Sequence, residues 1–542
     1  PGTAPLLHLL AEAKASLGET EPALAEWERA ATAEPWWSVP PRRSAEVLSV
    51  TGRHELAVDR ARRALAAWPD DARCAAALAS AWLAGADDGH VADVGGLKDL
   101  VDRLGERLPG DVTVAVLRIS LAAREPGPTG RAAAITQARA LAADTRTGAP
   151  ALLELARVSR RYALGLEDEF VAAAEAKAPR SAALVAARAA GAIEAGDAAA
   201  AVRAISSALG RSGGPATSPS SADGALRRLR IQAMSADAAG DRIGQFDLVY
   251  GTATDLAGDP IAQAAVVDWA VAAGFTELAL ESAERVHRAT GDWGVRWREL
   301  RARALLSRGT AEATTEALKL LGESAGVAPA NLSGRLLEAR AAELAGDLKR
   351  WEATVAAARK IAPASPDVDL AQARLDVATA HRDAAVQGLT KLAAAAANYP
   401  RGVSVRVAAA RALIEIGGYR EAIKALEVSV GDDGTPPARR VERELLRGLA
   451  LARLGKADDA KRCADGLLAA ADARADAVRA AARLLATIGR ADESAAAVAR
   501  LKQLGGRDAQ LRAEADLARA ASASAVAAAA YEELVRAVPG DR

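Results

Sequence analysis

The sequence predicts an all-α protein built from helix pairs that repeat along the chain, and three observations predict it. Ala, Leu, Arg and Glu dominate the 542 residues, and these residues lose little side-chain entropy in a helix. Val and Ile rarely alternate with polar residues, so no segment shows the two-residue period of a half-buried strand. The third observation is the regular placement of Gly and Pro.

The stretch GETEPALAEWERAATAEP, Gly18 to Pro35, is echoed 34 residues later by GRHELAVDRARRALAAWP, Gly52 to Pro69. Small or apolar residues follow each Gly at five, nine and twelve places. Similar spacing follows later glycines along the chain, namely Gly196, Gly274, Gly346, Gly417, Gly455 and Gly489. An Ala-rich chain matches the small positions by chance, but not helix-breaking residues in phase with them. Repeats of about 20–50 residues are the signature of solenoids.

Each unit has a direct physical reading. An apolar helix, PLLHLLAEAKASL in the first unit, precedes Gly18, which ends it in the left-handed conformation. A second helix, EPALAEWERAATA, follows, and Pro35 blocks its continuation. One pair buries too little apolar surface alone, so stability has to come from stacking.

These features resemble the tetratricopeptide repeat family: the 34-residue period, the mid-unit Gly, the small, bulky and small residues that follow it, and the final Pro. The large aromatics that this family carries early in the first helix are mostly missing. The resemblance implies a right-handed α-solenoid of about fifteen antiparallel helix pairs, and the excess of Arg over Lys indicates a bacterial origin.

The expected pairs lie near 6–35, 40–69, 71–109, 111–144, 149–179, 181–213, 221–259, 260–291, 293–327, 330–363, 366–400, 402–434, 437–471, 474–506 and 508–540. The Gly, Ser and Pro content of residues 210–224 predicts a flexible loop. It either separates N-terminal repeats (1–209) from C-terminal repeats (225–542) or is a tolerated loop with no role.

Composition excludes several classes of function. The formal net charge is zero, which disfavours nucleic acid as a partner. Two distant cysteines, Cys74 and Cys463, indicate neither a disulfide framework nor a metal site. No apolar run is long enough for a membrane span. The chain begins at Pro1, which indicates an excerpt or a processed form, so a cytoplasmic and a periplasmic location both stay open.

The sequence offers no catalytic residue, cofactor site or metal site. GESAG, residues 322–326, fits the nucleophile pattern G-x-S-x-G, but that motif needs a preceding strand. A helical segment precedes it here, so we expect an ordinary loop between helices. DDGH, residues 87–90, has no partner ligands at the spacing of a structural metal site.

Nine tryptophans stand out in a chain with 3% aromatic residues. Trp36 and Trp37 fall between the first two pairs, and Trp293 and Trp297 are four residues apart, as on one helix face. They are read as wedges between neighbouring repeats, with ligand anchoring as the alternative.

In the family that the chain resembles, first helices line a concave groove that grips peptides. The residues that this register turns inward are Glu12 and Glu46 early in the chain, and later Arg227, Arg230, Arg340, Arg411, Arg479 and Arg483. Because Arg pairs well with carboxylates, an acidic segment or chain terminus is the expected ligand, and an ordinary solvated face is the alternative.

The resulting hypothesis is a non-catalytic scaffold that holds proteins or peptides along a helical groove. Two alternatives remain: the scaffold arm of a larger enzyme, such as a kinase or glycosyltransferase, and an envelope or polysaccharide-export assembly scaffold. RNA-binding helical repeats share the period, but the zero net charge argues against them. The sequence leaves the oligomeric state open.

Overall fold

The computed structural model describes residues 3–50, 53–87, 95–125, 128–162, 164–179, 181–194, 198–212, 222–236, 242–363, 365–379, 381–395, 402–427, 437–469 and 475–520. These residues form 28 α-helices and no strand. The first fourteen are α1 (Thr3–Ser16), α2 (Thr20–Ala33), α3 (Val39–Val50), α4 (His54–Ala67), α5 (Ala72–Asp87), α6 (Gly95–Arg107), α7 (Val112–Arg124), α8 (Pro128–Ala143), α9 (Ala149–Arg161), α10 (Glu167–Lys177), α11 (Ala182–Glu194), α12 (Ala198–Ser212), α13 (Ala222–Ala236) and α14 (Arg242–Asp255).

The second fourteen helices continue the same alternation. They are α15 (Pro260–Ala273), α16 (Thr276–Thr290), α17 (Arg296–Arg308), α18 (Ala311–Val327), α19 (Leu332–Ala345), α20 (Leu348–Ile361), α21 (Pro366–Ala378), α22 (Arg382–Ala395), α23 (Gly402–Glu415), α24 (Tyr419–Leu426), α25 (Pro437–Arg453), α26 (Ala457–Ala469), α27 (Ala475–Thr487) and α28 (Ala491–Ala520). Each odd-numbered helix is the first of a pair and each even-numbered helix the second.

Short turns join the two helices of most pairs, so the helices run antiparallel and pack along their lengths. The described residues hold fourteen such pairs, and their bounds follow the predicted ones closely until the last. The predicted helix-pair array is therefore confirmed.

Glycine ends the first helix of a pair as predicted. Gly346 has φ 70° and ψ 15°, and its N–H donates to the carbonyls of Ala342 and Glu343. The predicted turn glycines that the structure describes share this positive φ: Gly18, Gly274, Gly417, Gly455 and Gly489. A residue with a Cβ is strained in this conformation, which explains the repeated choice of Gly.

The small and bulky positions of the second helices are core positions. Ala23, Trp27 and Ala30 on α2 are fully buried. Their counterparts in later second helices are buried too: Ala57, Ala61 and Ala64; Ala279, Ala283 and Val286; Trp351, Val355 and Ala358; and Ala460, Ala464 and Leu467. These residues make the surface on which one helix pair stacks against the next.

Hydrogen bonds also join neighbouring pairs. The Trp68 indole N–H donates to the carbonyl of Trp36 at 2.8 Å, 32 residues away. The Arg350 guanidinium donates to the carbonyl of Leu318 at 2.7 Å, also 32 residues away. Side chains of one unit therefore bind carbonyls of the preceding unit both at the end of a second helix and near its start, which ties the two pairs together.

The first helices form the inner layer of the array. From α3 to α27, each first helix contacts the first helix of the next pair, whereas among second helices only α22 and α24 pack together extensively. In a curved two-layer stack, the layer whose members approach one another lies on the concave side. The first helices therefore face inward, as expected from the sequence.

The array curves back so that its start meets its middle. The carboxylate of Glu19, between α1 and α2, accepts hydrogen bonds from the N–H groups of Val295 (2.8 Å) and Arg296 (3.3 Å), at the start of α17. Arg53, between α3 and α4, donates to the carbonyl of Ala330 at 3.3 Å, just before α19. These contacts join residues 276 or 277 apart, and each joins one pair to the loop just before the pair eight further along the chain. We call this set of contacts the turn-to-turn contact.

Two boundary predictions need correction. α28 runs through Gly505 and Gly506 to Ala520, where a boundary between the last two pairs was expected. The array thus has fourteen described pairs, and residues 521–542 of the expected fifteenth lie outside the described residues. GESAG lies within α18 and is not a loop, because a helix tolerates the two isolated glycines at a modest cost.

The predicted division at residues 210–224 stays a prediction. α12 extends to Ser212 and α13 begins at Ala222, and residues 213–221 lie outside the described residues. α12 and α13 pack directly against each other, as neighbouring helices do elsewhere in the array.

Candidate partner-binding surface

Exposed arginines recur at one position of the first helices. Arg340 lies six residues before Gly346, Arg411 six before Gly417 and Arg483 six before Gly489. All three side chains are exposed, while the residues on either side of each are buried: Ala339 and Ala341, Ala410 and Ala412, and Ala482 and Leu484. Each arginine therefore projects from the inner layer at the same height of its helix.

Arg374 belongs to the same series and was not predicted. It lies on α21, between Arg340 on α19 and Arg411 on α23, exposed and flanked by buried Ala373 and Leu375. The signal that identifies it is its spacing, 34 residues after Arg340. It was missed because no turn glycine follows α21 to mark the register. We call Arg340, Arg374, Arg411 and Arg483 the arginine row.

The members of the arginine row differ in their partners. Arg374 and Arg483 form no ion pair or side-chain hydrogen bond with any described residue. Arg340 pairs with Glu343 of its own helix at 2.6 Å, and Arg411 pairs with Glu442 on α25. Exposed pairs of this kind contribute about 0–1 kcal/mol, so a partner carboxylate can replace them at little cost.

Three predicted arginines lie elsewhere. Arg227 on α13 pairs with Asp255 at 2.6 Å. Arg230 is 8% exposed and donates to the Thr252 hydroxyl at 3.2 Å, and burial lowers its pKa. Arg479 is half-buried on α27, one helical turn before Arg483. Arg230 is thus a packing residue, and the exposed arginines that were predicted converge on α19, α23 and α27.

The early acidic residues form a bridge between the first helices of two pairs. Arg43 on α3 binds both oxygens of Glu12 on α1, at 2.7 and 2.9 Å, and reaches Glu46 at 2.6 Å. The hydrogen bond from Arg43 lowers the pKa of Glu12. The first two pairs thus carry paired carboxylates on their inner helices, where the later helices α19, α21, α23 and α27 carry the arginine row.

Most tryptophans pack in the core, as predicted. Trp27, Trp82, Trp269, Trp297 and Trp351 are buried. Trp297 stacks on His287, with ring centroids 3.9 Å apart, and the Arg298 guanidinium lies 4.6 Å from its ring centroid.

Two tryptophans are exposed. Trp36 is 71% exposed, and Trp293 is 42% exposed with the Lys14 ammonium 5.2 Å from its ring centroid. Trp293 lies in the turn before α17, so the prediction that it shares a helix face with Trp297 is wrong.

The described residues hold no metal-binding group of three or more His, Cys, Asp or Glu side chains. Ser324 of GESAG is buried inside α18, without the strand that exposes a nucleophile. Burial raises the pKa of Cys74 to about 12 and also raises that of Cys463, so both thiols stay protonated and unreactive near neutral pH. No helix within the described residues has the length and apolar character to cross a bilayer.

Two carboxyl groups with raised pKa values lie near the turn-to-turn contact, one buried (Glu19) and one half-buried (Glu299). Glu19 is 1% exposed, and burial raises its pKa. Glu299 on α17 accepts a hydrogen bond from the Asn331 amide, and burial raises its pKa to about 7. The negative charge of Glu19 adds to the shift at Glu299, while Arg303 and Arg296 oppose it.

Comparison with known proteins gives structural likeness only. No family model matches the chain, and no curated protein matches it. The chain is similar to yeast Tom70, with 12% sequence identity, 99% of this chain and 97% of that chain covered, and a TM-score of 0.25. It is also similar to the APC/C hetero-tetramer Cut9-Hcn1, with 11% identity, 95% and 96% covered, and a TM-score of 0.29.

The assignment of the fold rests on the helices of this chain. Antiparallel pairs recur at the period of the sequence, left-handed glycines end the first helices, and small residues are buried in the second. The chain is an all-α protein of repeated antiparallel helix pairs, and its units keep the spacing by which its sequence resembles the tetratricopeptide repeat family.

Proposed function

We propose that the chain is a non-catalytic scaffold that binds protein or peptide partners along its inner layer, and that the arginine row contacts acidic groups of the partner. The observation that supports this most strongly is the arginine row itself. Exposed arginines take the same position on four of five consecutive first helices, and two of them form no ion pair or side-chain hydrogen bond with any described residue.

Rigidity adds to this proposal. Helices α15 to α21 share one continuous apolar core, in which Trp269, Trp297 and Trp351 are large anchors. A preformed surface loses little conformational entropy on binding, which favours affinity. Since arginine carries a planar fork of donors, it recognises carboxylates by two parallel hydrogen bonds.

Affinity capture from cells of the source organism tests the proposal. The bait is the whole chain in three forms: unchanged, with Arg340, Arg411 and Arg483 all changed to Glu, and a matched control. The control changes Arg103 on α6, Arg203 on α12 and Arg288 on α16 to Glu. These three arginines are exposed and unpaired among the described residues but lie on second helices.

The control variant thus makes the same charge change in the outer layer, on second helices. We expect specific partners to be captured by the unchanged and control chains and lost from the inner-layer variant. Helical content by circular dichroism should be the same for all three. Equal capture by all three baits contradicts the proposal.

A further inference from the structure

The arginine row is interrupted on one first helix, which carries an apolar residue where its neighbours carry arginine. Along five consecutive first helices, α19 to α27, the same height is taken by Arg340, Arg374, Arg411, Leu449 and Arg483. Leu449 lies six residues before Gly455, as the arginines do before their own glycines, and is half-buried. Four of these five positions are therefore basic, and the fourth in chain order, Leu449, is apolar.

Helix packing sets the distance between equivalent positions on successive first helices. The axes of packed helices lie about 8–10 Å apart. An extended chain advances about 3.1–3.4 Å per residue, so three residues span about 9–10 Å. In the polyproline II conformation, an extended form with three residues per turn, every third side chain lies on one face of the partner. A partner in this extended conformation thus presents every third side chain to successive first helices.

Curvature favours an extended partner over a helical one. The five steps belong to the inner, concave layer, so the row follows a curve. A segment of thirteen extended residues covers the four intervals and bends with them. A helix needs about six or seven residues per interval, and it is too stiff to follow the curve.

We infer that the arginine row binds an extended acidic segment with carboxylates at its positions 1, 4, 7 and 13 and an apolar residue at position 10, facing Leu449. This inference rests on the proposed function and adds to it the spacing of the recognised groups. Arg374 and Arg483 supply the free guanidinium groups, and Arg340 and Arg411 exchange Glu343 and Glu442 for partner carboxylates.

The test uses fluorescent thirteen-residue peptides with blocked ends, titrated into the whole chain by anisotropy at low salt. The patterned peptide has Glu at 1, 4, 7 and 13, Leu at 10 and Ser and Gly elsewhere. Its sequence-reversed form covers the opposite chain direction. A clustered peptide has the same composition with Glu at positions 1 to 4. A longer helix-forming peptide, of about 29 residues, spans the same four intervals with Glu at 1, 8, 15 and 29 and Leu at 22.

We expect the patterned peptide or its reverse to bind at least about tenfold tighter than the clustered and helical peptides, because only it meets four guanidinium groups. Arg374→Glu should weaken that binding at least about tenfold. A peptide with Lys in place of the Glu that faces Arg374 should restore binding to Arg374→Glu. A variant that fails to fold is not rescued, so the rescue distinguishes pairing from structural damage.

The peptide titrations distinguish a wrong spacing, a wrong partner conformation and a wrong class of partner. If the clustered peptide binds as tightly as the patterned one while Arg374→Glu weakens both, the inner layer binds acidic segments but the spacing is wrong. Tighter binding of the helical peptide overturns the extended conformation. If none of the peptides binds, the arginine row does not recognise acidic segments. The scaffold proposal then depends on the capture experiment alone.

Discussion

At the scale of single residues, Gly346 illustrates a turn glycine that is chosen for its backbone conformation and not for lack of space. A Cβ built on Gly346 meets no atom within 4 Å, yet the residue has φ +70°. The cost of a side chain at this position is therefore conformational strain alone, which makes it a clean test of the repeat design.

Gly346→Ala should lower the free energy of unfolding by about 1 kcal/mol, because alanine is strained in the left-handed region. Gly388→Ala is the matched control. Gly388 lies within α22, is exposed, and also meets no atom within 4 Å. Alanine there should leave stability unchanged or raise it slightly. Urea denaturation of both variants measures the difference, and equal effects would show that Gly346 does not hold a strained turn.

At the scale of helices, close approach of the inner layer depends on another glycine. Gly448 on α25 is buried, and a Cβ there would clash with Cδ2 of Leu484 on α27. Leu484 is itself fully buried, so it has little room to move.

Gly448→Ala should therefore destabilise the chain by about 1–3 kcal/mol, as overpacking does in a tight core. Gly466→Ala on α26, where no atom lies within 4 Å of the added Cβ, is the control and should be neutral or mildly stabilising. Thermal denaturation separates the two. A neutral Gly448→Ala would mean that α25 and α27 pack less closely than described.

Helix bounds were predictable because their signals are local. Gly18 and Pro35 stand beside the turns that they make, so thirteen of the pairs follow from the sequence. The last pair failed for a physical reason: Gly505 and Gly506 are tolerated inside α28, and nothing local separates a tolerated Gly from a terminating one.

The candidate site was predictable only in part. Register identified Arg340, Arg411 and Arg483, whereas the burial of Arg230 depends on neighbours from another helix. The role of the inner-layer arginines in binding stays a prediction.

At the scale of the whole molecule, the turn-to-turn contact joins residues that no local pattern connects. α17 has no capping side chain of its own at Val295, and Glu19 from the first pair accepts its first N–H groups instead. A carboxylate at a helix N-terminus also interacts favourably with the helix dipole.

Glu19→Ala should expose the start of α17 and lower stability by about 1–2 kcal/mol. Amide hydrogen exchange at residues 295–298 should accelerate. Glu28→Ala, which removes an exposed pairing with Arg60, is the control and should leave that exchange unchanged. Unchanged exchange in both variants would contradict the contact between the first pair and α17.

The half-buried carboxyl of Glu299 makes stability depend on pH. Its pKa is raised to about 7 in the folded chain from 4.5. The folded state therefore holds the proton more tightly, and this stabilisation is complete below about pH 4.5 and is lost as pH rises through 7.

Glu299→Gln should remove this dependence, because the amide does not titrate. The melting temperature of the unchanged chain, relative to that of Glu299→Gln, should fall between pH 5 and pH 8 by an amount corresponding to about 1–3 kcal/mol. Scanning calorimetry across this range measures it. A difference that stays constant or grows with pH would contradict the raised pKa of Glu299.

The affinity of a purified, captured partner for the inner-layer variant tests the central claim most directly. Calorimetric titration compares the unchanged chain, the chain with Arg340, Arg411 and Arg483 changed to Glu, and the chain with Arg103, Arg203 and Arg288 changed to Glu. We predict that Kd rises at least about a hundredfold for the inner-layer variant and stays within about threefold for the control, since only the first charges lie against the partner. Equal Kd values for the two variants would contradict the claim that this protein holds its partners along the inner layer.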